Sequence, residues 1–245
     1  MRAVRKVYFD ERVAPFYDAT SPDMFDPAVL EPTVDFLASL AGDGVALELA
    51  IGTGRVALPL SARGVRVVGI DLSEPMVTEL LKKPGAADLE VTIGDFSTTR
   101  VQGEFALVYL VYNTITNLCE QDAQVDTFAN AAAHLRPGGC FVIECFIPQL
   151  QRLALGDTAL PFHVAPTRLG FDEYDVVNQG LISYHYWLLG DRLETFIQPF
   201  RYVWPAEMDL MAKMAGLELR ERWADWNRNP FTATSASAIS VWEKP

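Results

Sequence analysis

Val45-Ala-Leu-Glu-Leu-Ala-Ile-Gly-Thr-Gly54 is the stretch on which the fold turns. Val45–Ala50 is a short apolar run of buried-strand length. It leads directly into a turn built on Gly52 and Gly54, and Arg55–Arg63 then reads as a helix stopped by Gly64. Val65–Ile70 is a second apolar strand, with Asp71 at its end. Strand, glycine turn, helix and strand make one parallel βαβ unit.

The same alternation extends outward. Upstream, residues 28–41 place Leu30, Val34, Leu37 and Ala41 at helical spacing before Gly42. Downstream, Glu74–Lys83 is a helix with Ser73 as N-cap and Pro75 in its first turn. Leu89–Ile93 and Phe105–Val111 are strands. Gln121–Arg136 carries Val125, Phe128, Ala132 and Leu135 on one face and stops at Pro137-Gly-Gly139, after which Cys140–Phe146 is a fifth strand. Strands apolar on both faces require cover on both faces, so the fold class is a doubly wound, mostly parallel α/β sheet.

Beyond residue 150 the pattern changes. Tyr174–Asn178, Leu181–Leu189 and Arg192–Trp204 read as strands separated by the turn pairs Gln179-Gly180 and Gly190-Asp191. Pro199 assigns the last of them to an edge or a bulge. A helix over Pro205–Ala215, with Met208, Met211 and Met214 inward, and strands over Leu217–Trp223 and Ala238–Glu243 complete the chain. We therefore expect one domain over residues 1–245, with an N-terminal arm at 1–27 and an antiparallel insertion at 148–204 covering a substrate cleft.

Bulk properties restrict function. The net charge is −12, and the 20 basic residues are scattered. A nucleic-acid partner is not expected, because phosphate backbones are bound by clustered Lys and Arg. No apolar run is long enough to span a bilayer, and the basic start, Met1–Asp10, lacks the apolar stretch of a signal peptide. A cytoplasmic protein, monomeric or homodimeric, without a membrane partner is the expectation. Cys119, Cys140 and Cys145 have no metal-ligand spacing and read as buried, reduced thiols.

Ligands of such sheets sit at the carboxyl ends of the strands, near the switch in strand order. Gly52 and Gly54 make room there by lacking Cβ atoms. Asp71, roughly 20 residues on, suits a vicinal ribose diol. These features also occur in nicotinamide-binding domains, and Ala57 can serve as the third small residue of a dinucleotide fingerprint. Glu48 separates the two readings: it repels a pyrophosphate but attracts an ammonium. Gly94-Asp95-Phe96 adds a carboxylate and a ring to receive and flank an adenine.

With these motifs the sequence resembles the class I S-adenosylmethionine-dependent methyltransferase family, in small-molecule members with an antiparallel lid. Val45–Gly54, Val68-Gly-Ile-Asp71-Leu-Ser, Gly94-Asp-Phe96 and Arg136-Pro-Gly-Gly139 carry the resemblance. It implies a Rossmann-like seven-stranded sheet with a small antiparallel β insertion after the fifth strand. It implies S-adenosylmethionine as cofactor, S-adenosylhomocysteine as product, and no metal. By the same resemblance Glu48 lies near the methionine amine, and Ala50, Gly52 and Gly54 pass under the cofactor. Asp71 holds the ribose, Leu72 and Met76 pack on the adenine, and Gly94, Asp95 and Phe96 receive its amino edge. Tyr17 closes over the cofactor. Ala50 departs from the family's usual glycine, which matters if φ there is positive.

On the acceptor side, Tyr112 and Asn113 follow the fourth strand, where the resemblance places the reacting centre. The Asn/Asp-Pro-Pro-Tyr/Phe tetrad of DNA-adenine and glutamine methylation is absent. In Ser183-Tyr-His-Tyr-Trp187 one face carries His185 and the other Tyr184 and Tyr186. If the first faces the cleft, His185 is a candidate base; if the second does, the tyrosines line the pocket. Arg201 is a candidate for an acidic substrate group or an internal ion pair, and His134 a partner for its helix C-terminus. The expected activity is methyl transfer to a nitrogen or oxygen of a small molecule, mainly by alignment. A nicotinamide-dependent oxidoreductase and a non-catalytic cofactor-binding protein are the alternatives.

Overall fold

The computed structural model describes residues 8–245, so the basic residues 1–7 lie outside the described part. Its main sheet contains β1 (Ala46–Leu49), β2 (Val67–Asp71), β3 (Glu90–Ile93), β4 (Phe105–Leu110), β5 (Leu135–Phe146), β10 (Glu218–Trp223) and β11 (Ser237–Glu243). The strand order is β10-β11-β5-β4-β1-β2-β3, with β10 and β11 the antiparallel members. Every residue of β1, β2 and β4 is buried, as strands covered on both faces must be. The order reverses between β1 and β4, so a crevice opens where their carboxyl ends diverge.

After the short α1 (Tyr17–Thr20), helices α2 (Pro27–Ala41) and α4 (Glu74–Leu81) start where the sequence supplies caps, whereas α3 (Ala57–Ala62) starts after Val56 without one. The Asp26 side chain accepts from Ala28 N–H, and Ser73 Oγ from Met76 N–H. Val34, Phe36, Leu37, Ala57 and Leu60 pack on one face of the sheet, against Ala46, Val67 and Leu107. The other face is covered by α5 (Gln121–His134) and α6 (Pro205–Met214), through Phe128, Ala131, Met208 and Met211. Met214, expected inward, is 74% exposed. Steps of three residues drift around a helix, so Met214 falls off the face that Met208, Met211 and Ala212 bury.

The second sheet is β6 (Ala159–Ala165), β7 (Arg168–Asp175), β8 (Gly180–Leu189) and β9 (Arg192–Arg201), a four-stranded antiparallel meander. The turns fall at Gln179, with φ 55°, and at Gly190, with φ 67°. Pro199 sits in the edge strand. Strand β6 and all of β7 before Tyr174 have no counterpart in the sequence reading, because Pro161, Pro166 and Gly170 interrupt their patterns. Val176–Asn178, expected as strand, belong to the turn that leads to β8.

Three polar expectations change. His134 is buried with Nδ1 on the Asn130 carbonyl, and its Nε2 accepts Val101 N–H. It is thus a neutral imidazole that pins a loop, and burial depresses its pKa. Cys119 is exposed, whereas Cys140 and Cys145 are buried. Of the two readings of Arg201 the substrate group falls and the internal ion pair holds: its guanidinium pairs with Glu207 at 2.7 Å and reaches Gln124 and Gln179. This hub joins β9 to α5 and α6. Arg201→Met should lower stability in urea denaturation by about 3 kcal/mol, since Glu207 is left without its cation. Cofactor affinity should be unchanged.

Candidate functional site

The loop after β1 is shaped by three alternate residues with positive φ. Ala50 has φ 57°, Gly52 φ 56° and Gly54 φ 78°. Ala50 therefore adopts the left-handed conformation that its glycine counterpart takes without strain. The two glycines do different work. A Cβ on Gly52 would meet nothing nearer than the Met76 Cε at 3.5 Å, so this residue leaves an open surface at the crevice. A Cβ on Gly54 would lie 2.2 Å from Leu80 Cδ1, so its absence lets α4 close on the loop.

Asp71 fixes this loop from the neighbouring strand. Its Oδ2 accepts Gly52 N–H at 2.7 Å and its Oδ1 accepts Ser73 N–H at 2.8 Å. Burial raises its pKa, and the two N–H donors oppose that rise. Each oxygen retains a lone pair for a further donor. Leu72 is half-buried beside it, and Met76 is buried against the loop.

Glu48 lies beneath the loop rather than at its mouth. It is 2% exposed and accepts the Tyr109 hydroxyl at 2.9 Å. Burial pushes its pKa up to about 8, partly offset by Tyr109 and the nearby Arg55 guanidinium. Arg55 also stands 5.4 Å over the Tyr112 ring. On the far side of Tyr112, Glu144 accepts Tyr112 N–H at 2.6 Å and Trp226 Nε1–H at 3.1 Å. One guanidinium thus serves two carboxyl groups, on adjacent sides of the crevice.

Tyr112 and Asn113 have φ 56° and 58°, two left-handed non-glycine residues in succession. Such strain persists only where surrounding bonds impose it. Glu144 holds the first. The second is held by its amide: Asn113 Oδ1 accepts Phe146 N–H at 2.9 Å, and Nδ2 donates to Thr116 at 3.1 Å. Asn113, a substrate-binding candidate, is therefore used to join the ends of β4 and β5.

The N-terminal arm crosses this crevice. Asp18 accepts the Thr53 hydroxyl at 2.6 Å and pairs with Lys83 at 2.5 Å, and Ser73 Oγ donates to the Phe9 carbonyl. Tyr17 lies close to Tyr112, Arg55 and Asp71, and its hydroxyl pKa is pushed up to about 12, mainly by burial. Phe9 packs on Tyr17 at 5.6 Å and on Phe196 of β9 at 6.5 Å, which links arm to lid.

That contact identifies the inward lid face. Phe196 pairs with His185, and Ser183 with Gln198, whose amide donates to Asn117 Oδ1 after β4. The His185 face therefore looks into the crevice. His185 is stacked on Trp187 at 5.6 Å, with Phe162 at 5.0 Å and Phe196 at 5.9 Å. Its Nε2 is 3.2 Å from Ser183 Oγ, and Ser183 in turn steadies the Asp172 carboxylate. Burial and Arg168 depress the His185 pKa. Tyr184 and Tyr186 are on the opposite face, stacked on Phe171 at 5.0 and 5.8 Å, with the Tyr184 hydroxyl on Glu173. They do not line the crevice.

The third-strand motif is partly structural. Gly94 N–H donates to the Asp71 carbonyl, and a Cβ there would overlap Thr99 Oγ1 at 2.2 Å. Asp95 Oδ1 accepts both Ser97 donors. Phe96 is buried among the core side chains. Arg55, Glu144, Trp226, Arg168, Asp18 and Phe9 were not selected from sequence. Only Arg55, directly after the glycine turn, has a local signal; the others meet through sheet topology.

The open face at Gly52, the paired acceptor Asp71 and the buried carboxyl group of Glu48, which a neighbouring cation would ionise, fit a ribose and an ammonium, as a sulfonium amino-acid cofactor requires. Among the described residues no three His, Cys, Asp or Glu side chains converge as a metal site.

Two outcomes test this geometry. Glu48 has a folded-state pKa of about 8 against an ordinary 4.5, so its contribution to stability is present at low pH and is lost as pH rises between those values. Glu48→Gln keeps an acceptor for Tyr109 and should flatten that loss, leaving the variant about 2 kcal/mol more stable than the parent at alkaline pH in urea denaturation. Gly54→Ala should cost about 3 kcal/mol through the Leu80 overlap and positive φ, against about 1 kcal/mol for Gly52→Ala, read from thermal unfolding.

Comparison with known proteins agrees with this geometry. Residues 46–139 match the methyltransferase domain family. The cypemycin N-terminal methyltransferase of a Streptomyces species is 29% identical, over 96% of this chain and 97% of that one. The CcbJ methyltransferase of Streptomyces caelestis is 35% identical over 98% of this chain and 99% of its own, with a TM-score of 0.88. CalS10 of Micromonospora echinaspora, an amino pentose methyltransferase solved with S-adenosylmethionine, shares the fold at 20% identity and a TM-score of 0.72, over 99% and 100% of the chains. These likenesses set aside the oxidoreductase alternative. The chain belongs to the class I S-adenosylmethionine-dependent methyltransferases.

Proposed function

We propose that this enzyme methylates a nitrogen or oxygen atom of a small molecule, chiefly by holding acceptor and cofactor in line and excluding water. The observation that carries the reading is the His185 face of the lid, which meets the N-terminal arm through Phe196 and Phe9 beside Tyr17. When bound, S-adenosylmethionine supplies an electrophilic methyl group with its own leaving group. Asp71 would hold the ribose, Leu72, Met76 and Asp95 the adenine, and Glu48 would supply negative potential for the ammonium. Tyr17 and Tyr112 would enclose the reacting centre, with residues 148–204 as a lid. A nitrogen acceptor is favoured, since one relative is named for N-terminal methylation and another acts on an amino pentose.

An amine must be deprotonated to attack, and His185 is the group on hand. With the Ser183 hydroxyl proton directed at Asp172, His185 Nε2–H donates to Ser183 and Nδ1 carries the free lone pair. Its depressed pKa keeps the ring neutral at pH 7. A screen of small amines and hydroxyl compounds for S-adenosylhomocysteine release tests the activity; transfer only to protein or nucleic acid would overturn it. With an acceptor in hand, His185→Ala should lower kcat by about 10²-fold without changing cofactor affinity. Near-parental rates across pH would remove His185 as the base.

A further inference from the structure

Arg168 opens β7 directly opposite Trp187 of β8, on the face that looks into the crevice. Its guanidinium carbon stands 5.8 Å from the Trp187 ring centroid. Its Nε is buried and has no hydrogen-bond partner. None of the ion pairs among the described residues includes it. Asp172, four residues further on the same face, is engaged with Ser183. A buried, unpaired donor on a cation is costly unless a ligand completes it. Stacking occupies the flat face of a guanidinium and leaves its edge free. The Nε–Nη edge is the one that grips a planar carboxylate through two parallel hydrogen bonds.

The position of Arg168 gives that edge a purpose. Its charge is felt by Tyr112 on the main sheet and by His185 on the lid, the two groups proposed to flank the reaction. Arg55 stands on the cofactor-loop side of Tyr112, whereas Arg168 stands on the lid side. We propose that Arg168 receives a carboxylate of the methyl acceptor, so that the enzyme acts on a carboxylate-bearing small molecule. This rests on the reading of the lid crevice as the acceptor site. Trp187, Phe162 and Phe196 beside it suit an apolar or ring-bearing remainder.

Phenylacetate, phenylacetamide and phenyl phosphate, titrated calorimetrically into protein saturated with S-adenosylhomocysteine, provide the test. Phenylacetate should bind about tenfold more tightly than the isosteric amide. Arg168→Met should erase that preference, and Arg168→Lys should restore part of it, with S-adenosylhomocysteine affinity equal in all three proteins. Equal binding of acid and amide to the parent, no measurable binding of the acid, or a preference that survives in Arg168→Met overturns the proposal. Tighter binding of phenyl phosphate would make this a phosphate site, and weaker S-adenosylhomocysteine binding in Arg168→Met would give the arginine to the cofactor's own carboxylate. Either result also overturns it. A parent that binds phenylacetate in an Arg168-dependent way but releases no methylated product from any acceptor faults the functional reading and leaves the carboxylate site standing.

Discussion

The grip of the Asp71 carboxylate on two backbone N–H groups organises the whole crevice. Gly52 belongs to the loop after β1, and Ser73 is the cap of α4. One side chain therefore sets the distance between the cofactor loop, the end of β2 and the start of a helix. Gly54 makes the arrangement compact, because α4 can approach only where a Cβ is missing. The loop is consequently rigid before any ligand arrives. Rigid placement is what an enzyme needs when its chemistry is mostly alignment.

On the opposite side of the crevice the same result is reached by strain. Tyr112 and Asn113 occupy left-handed conformations because Glu144 and the ends of β5 hold their backbones there. The buried carboxyl groups of Glu48 and Glu144 then share the field of Arg55. The cofactor side of the site gathers buried carboxyl groups around Arg55, within a protein that is itself acidic. Such an environment favours a positively charged cofactor and disfavours pyrophosphate.

The centre of the main sheet was legible because β2, β4 and the second half of β5 are nearly continuous apolar runs, a local signal, whereas β10 (Glu218–Trp223) is mostly charged and was placed by its position after the last helix. Asp71 and the two glycines were legible for the same reason: their roles follow from position relative to the first two strands. The lid was legible only in part. Its outer strands mix proline, glycine and charge, and the choice between the His185 and Tyr184 faces depends on contact with Asn117 and Phe9, far away in sequence. Arg201 and Asn113 looked available for substrate because their partners, Glu207 and Phe146, are brought to them only by folding. Glu48 was legible as a carboxylate of the first strand, but its depth was not. The penultimate position of a fully covered strand points into the helical layer, not into solvent.

The anchoring of the arm has a consequence for the order of events in a catalytic cycle. Asp18 is bonded to Thr53 and Lys83, and Phe9 to the cap of α4, so the arm is fastened to the cofactor half by polar contacts. Its contact with the lid includes the packing of Phe9 on Phe196, between two apolar rings. Separating two rings leaves no polar atom unpaired, whereas freeing Asp18 strands an ion pair and a hydroxyl. The lid side thus opens more readily than the arm side. Opening at the Phe9–Phe196 contact would expose the acceptor side first, while the polar ties of the arm keep the cofactor side covered.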